Sequence, residues 1–102
     1  MGWATMYIDK LLNGEVVEFR PRGNSMRGIV NSGDLVVVEP VKKNINIGDV
    51  VLCRVRGREF LHKVKAINSK GQYLIGNNRG GTNGWISFNS IYGIMIENKG
   101  KQ

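Results

Sequence analysis

The strongest constraint on this chain is its punctuation. Two Gly-Asp pairs, Gly33-Asp34 and Gly48-Asp49, each stand directly before a run of β-favouring residues, Leu35 to Glu39 and Val50 to Val55. β-Branched side chains are crowded in a helix and fit a pleated strand. Glycine supplies the backbone angles of a tight turn. A short run from Val16 to Phe19 stops at Arg20-Pro21. Gly57 marks a tight turn before Phe60 to Ile67, and Gln72 to Ile75 and Ile91 to Ile96 follow. Between these last two, Gly76-Asn77-Asn78-Arg79-Gly80-Gly81-Thr82-Asn83-Gly84 reads as a loop. Short segments cut this often predict a mainly β, small antiparallel fold that is coiled or partly closed. A short N-terminal helix precedes it, with Met6, Ile8, Leu11 and Leu12 as its apolar stripe and Asn13-Gly14 as its stop.

With 102 residues, splitting the chain would starve two cores, so one domain is expected. Its expected parts are the helix over 1–14, a β core over 15–96 and a polar tail over 97–102. Cys53 is the single cysteine and His62 the single histidine, too few for an intrachain disulfide or a zinc set. Neither a metal nor a cofactor is expected. No run approaches the roughly 18 to 20 apolar residues of a membrane span, and the start lacks a basic, apolar leader. These features predict a soluble, cytoplasmic protein. The net charge of +7 is compatible with an anionic partner. Most of the excess lies between Arg54 and Arg79, where seven basic residues face one acid, Glu59.

Two residues could carry chemistry. Ser25 lies in Gly23-Asn24-Ser25-Met26, where a turn can expose a hydroxyl beside backbone N–H groups. Those are the parts of a nucleophile with an oxyanion hole, although a serine in such a loop also serves as a plain turn or cap residue. His62 lies in Phe60-Leu61-His62-Lys63-Val64. Period two puts Phe60, His62 and Val64 on one strand face and Leu61, Lys63 and Lys65 on the other. A histidine there is either a hydrogen-bonded core residue or a general base.

In order, these pieces resemble the LexA/signal-peptidase superfamily of serine proteases. The stretch Gly23 to Val38 is similar to its nucleophile box, and Ile47-Gly48-Asp49-Val50-Val51 to its second Gly-Asp strand. Leu61-His62-Lys63-Val64 falls where the base is expected, 37 residues after Ser25. Gly76-Asn77-Asn78-Arg79 and Ile91-Tyr92-Gly93 are similar to the late loop and closing strand. The proline and threonine that commonly follow the Ser-Met pair are Gly28 and Ile29 here.

The resemblance implies a Ser25-His62 dyad with Gly23, Asn24 and Met26 in the nucleophile and oxyanion loop. It implies an endopeptidase acting on a peptide or protein segment presented as an extended strand. Relatives of the lysine type make Lys63 the alternative base. Histidine-type relatives orient the base with a late aspartate. No aspartate follows Asp49, so Asn77 or Asn78 is expected in that role.

Two other functions compete with the peptidase. One is a catalytically impaired, protein-binding module acting as a homodimer. The other is a weak, non-specific nucleic-acid binder using Arg54, Arg56, Lys63, Lys65 and Arg79, with Trp85 or Tyr73 for stacking. A phage or mobile-element setting would suit a stand-alone member.

Overall fold

The computed structural model describes residues 2–42 and 44–101. Met1 and Gln102, the outer limits of the expected helix and tail, lie outside the described residues. A helix, α1 (Thr5–Leu12), is followed by strands β1 (Val17–Phe19), β2 (Val36–Pro40), β3 (Val50–Val55), β4 (Arg58–Ile67), β5 (Tyr73–Gly76), β6 (Thr82–Ile86) and β7 (Ile91–Asn98). They form one sheet in the order β1-β2-β7-β3-β4-β5-β6, antiparallel at every junction.

The Gly-Asp pairs build two copies of one turn. Asp34 N–H donates to Asn31 O, and Asp49 N–H donates to Asn46 O. Each aspartate's Oδ2 in turn accepts the backbone N–H of that asparagine, at 2.8 Å for Asn31 and 2.7 Å for Asn46. The third residue is glycine with φ of 89° at Gly33 and 97° at Gly48. Any side chain is strained there. Arg56 and Gly57, at φ 50° and 81°, make the two-residue turn between β3 and β4. Two positive angles in succession match the right-handed twist of a hairpin.

β3 is buried on both faces and divides two cores. Val50 and Leu52 join a cluster with Ile8, Leu11, Phe19, Met26 and Leu61; Val51, Cys53 and Val55 join Ile45, Val64, Ile75, Ile86 and Ile91. A fully buried side chain such as Leu52 contributes about 1.5–3 kcal/mol. The helix stripe differs from expectation. Ala4, Ile8 and Leu11 are buried, whereas Met6 and Leu12 are 56% and 68% exposed. Positions 4, 8 and 11 lie along one side at 3.6 residues per turn, and Met6 points away from Ile8.

Strand limits also differ: β1, β2, β4 and β5 each shift by one or two residues at one or both ends. β7 runs to Asn98, and Lys99 N–H and Gly100 O continue the pairing onto Leu35. The larger correction is β6, which occupies part of the stretch read as a loop. It pairs with β5 through a register shift at Ile75/Gly76.

Candidate active site

β1 leaves the sheet at Phe19, and residues 23–30 form an irregular turn rather than a strand. Met26 and Val30 are buried in the first core and pin this turn. Met26 O accepts the N–H groups of Ile29 and Val30, and Gly23 N–H donates to Ser32 Oγ. Gly28 sits at φ 97°, and its N–H donates to Asn31 Oδ1. Proline could do neither, since its φ is held near −65° and it has no N–H. The local hydrogen bonding therefore accounts for this departure from the superfamily pattern.

Directly before the buried anchor Met26 stands Ser25, half-buried, with its Oγ 3.0 Å from His62 Nε2. His62 comes from β4, opposite Val51 of β3, so the strand ladder sets its position. Residues directly opposite share a face. His62 and Phe60 therefore lie on the side of the second core, with the rings 4.8 Å apart. The far ring nitrogen, Nδ1, is 2.7 Å from Asn83 Oδ1. Since an amide oxygen can only accept, Nδ1 carries the proton. Nε2 is then left to accept from the serine hydroxyl. Burial lowers the His62 pKa, the Asn83 hydrogen bond opposes that shift, and the Lys65 charge adds to it. The balance favours a neutral imidazole.

Asn83 replaces Asn77 and Asn78 as the partner of His62. Asn77 Oδ1 instead accepts the N–H groups of Arg79 and Gly81, closing its own loop. Asn78 clamps the serine turn: its N–H donates to Ser25 O and its Nδ2 to Arg27 O. Its Oδ1 accepts from Lys63 Nζ at 2.8 Å. Lys63 thus binds an amide on the face of β4 away from His62, and the serine hydroxyl bonds to the histidine. Asn83 lies in β6, where Asn-Gly had signalled a turn; the β-favouring Thr82, Trp85 and Ile86 around it were the signal for a strand.

Other expected residues fall as follows. Among the described residues, the N–H groups of Asn24, Ser25 and Met26 make no hydrogen bond, whereas that of Gly23 is taken. Of the basic run, Arg54 bonds to Glu59 at 2.7 Å and lies over the Tyr92 ring. Cys53 is buried and its thiol is pushed up to about 12, so it stays protonated. No group of metal-ligating side chains occurs among the described residues, and no described helix is long and apolar enough to cross a membrane.

Ser25 and His62 open into a cleft of about 530 Å³, walled by Trp3 and Tyr7 from the helical end, Phe19 and Arg58. The Tyr7 ring stacks on Phe19 at 4.5 Å, and Trp3 meets Phe19 at 5.7 Å.

No curated protein and no solved structure matches the chain. A family model described as Peptidase S24-like matches residues 5–95, nearly the full length of the chain. The match takes in the serine turn, the histidine strand and the β6 asparagine, and the chain accordingly belongs to the peptidase S24-like family.

Proposed function

We propose that the protein is a serine endopeptidase in which Ser25 is the nucleophile, His62 the general base and Asn83 the residue that orients the base. The observation that carries this reading is the hydrogen-bonded line from Ser25 Oγ through His62 to Asn83 Oδ1, at 3.0 and 2.7 Å.

Ser25 Oγ attacks the scissile carbonyl carbon while His62 Nε2 takes the hydroxyl proton. The carbonyl π electrons move onto oxygen, where the N–H groups of Ser25 and Met26 supply hydrogen bonds. One such donor is worth about 3 kcal/mol in the transition state. Collapse expels the amine, which receives the proton from His62, and leaves an ester on Ser25. A water molecule, deprotonated by the same nitrogen, attacks that ester; the acid leaves and the proton returns to Ser25.

Asn83 fixes the tautomer without adding charge, so it stabilises the transient imidazolium less than a carboxylate would. The substrate is a peptide in extended form. Residues 58–62 of β4 pair with β3, while the β5 pairing begins at Lys63, so this part of β4 offers a sheet edge beside the serine.

A fluorophosphonate probe tests the chemistry. Ser25→Ala abolishes labelling with the fold retained, and His62→Ala slows it by about 10² to 10⁴. Lys63→Ala leaves a reactive protein. Equal labelling of the native and Ser25→Ala proteins would remove Ser25 from the reading. Loss on Lys63→Ala with none on His62→Ala would transfer the base to the lysine. A protein-binding module of the same fold predicts no labelling in any variant.

A further inference from the structure

The open edge of β4 divides the cleft into two chemically different sides. On one, alternate residues Arg58, Phe60 and His62 are in contact along the strand, with the Arg58 guanidinium 5.7 Å from the Phe60 ring centre and the Phe60 and His62 rings 4.8 Å apart. On the other lie Trp3, Tyr7 and Phe19, joined by ring contacts and continuous with Leu61 of the first core. Glu59 is the acid among the cleft residues, and Arg54 clasps its carboxylate at 2.7 Å. Arg22 also lines the cleft and is exposed. Arg58 thus gives the first side its cation, while the second side is walled by the rings, with Arg20 and Arg22 following Phe19 at its rim.

We propose that this cleft selects extended segments whose alternate side chains are bulky apolar and acidic. The inference rests on the reading of Ser25 and His62 as the reacting pair only for where cutting occurs. An extended peptide along residues 58–62 turns successive side chains to opposite sides of the edge. One set meets Trp3, Tyr7 and Phe19; the other meets Phe60 and Arg58. Strand rise puts Arg58 about 13 Å from His62, so the favoured acid lies about four residues from the bond cut. Aromatic walls reward large apolar groups, and a guanidinium beside a ring rewards a carboxylate.

Binding to the Ser25→Ala protein tests the selectivity separately from catalysis. The probes are short, end-blocked, fluorescein-labelled peptides with Phe and Asp at alternate positions, with Phe and Lys, and with Ala and Asp. The Phe/Asp peptide binds at least about tenfold more tightly than either control. Arg58→Glu removes its advantage over the Phe/Lys peptide, and Trp3→Ala removes its advantage over the Ala/Asp peptide. Lys70→Glu, the same charge change at an exposed turn, leaves both preferences in place. Equal binding of the three peptides overturns the proposal, as does an equal loss on Lys70→Glu and Arg58→Glu, which would mark a response to net charge alone. Selective binding with no fluorophosphonate labelling of the native protein would keep the selectivity and overturn the peptidase reading instead.

Discussion

The serine and the histidine are held by opposite kinds of structure. His62 belongs to a ten-residue strand, paired to β3 along its first half and to β5 along its second. Ser25 belongs to no strand. Two buried side chains, Met26 and Val30, together with hydrogen bonds donated by Asn78 and one accepted by Ser32 Oγ, hold its turn. A ladder spreads the load of fixing a base over many backbone bonds, whereas a point-anchored turn concentrates it in a few side chains. Changes around the serine should therefore affect reactivity out of proportion to stability.

The sharpest comparison sets Met26→Ala against Leu52→Ala. Each removes a buried side chain from the same core and costs about 2–5 kcal/mol, read from urea midpoints. Under conditions where both remain folded, Met26→Ala also slows fluorophosphonate labelling by about a hundredfold, because small misplacements of a nucleophile are costly. Leu52→Ala leaves the rate within a few-fold. Equal slowing in both would show the turn to be no more delicate than the sheet.

The next test concerns charge at the base. With His62 as the proposed base, labelling is expected to require the neutral ring, so it is present above the folded pKa and lost as pH falls through it. Because that pKa is lowered by burial, the native midpoint falls below the ordinary histidine value near 6.5. Asn83→Asp places a carboxylate on Nδ1, favours the imidazolium and moves the midpoint to higher pH, with faster labelling on the plateau. Asn83→Ala frees the ring and slows labelling by about tenfold. A midpoint unmoved by Asn83→Asp would place the titration elsewhere.

The smallest effect is expected at Asn78. Asn78→Ala keeps the backbone bond to Ser25 O and loses those to Arg27 O and Lys63. The cost is about 0.5–1.5 kcal/mol per bond at most, with a labelling rate reduced a few-fold. An unchanged rate would mean that Met26 and Val30 alone hold the turn.

What the sequence by itself determined lies where a few adjacent residues dictate the geometry. Asn-x-Gly-Asp closes a turn through its own side chains, so Gly33-Asp34 and Gly48-Asp49 announced β2 and β3 directly. Gly57 announced the hairpin, and period two put His62 and Leu61 on opposite faces, as their pairing with Val51 and Leu52 does. The Ser-Met box and the basic strand were likewise legible as candidates for one site. Only the tertiary structure decided which asparagine meets the imidazole. Asn77 and Asn78 are consumed by their own loop and by the serine turn, whereas Asn83 rides on β6, which pairs with β5 past a bulge. That choice depends on register between distant segments, and a one-residue slip reverses every side chain in a strand. Helix burial followed the same rule: Met6 and Leu12 are as apolar as Ile8 and Leu11, but the side of the helix that the sheet covers runs through Ala4, Ile8 and Leu11.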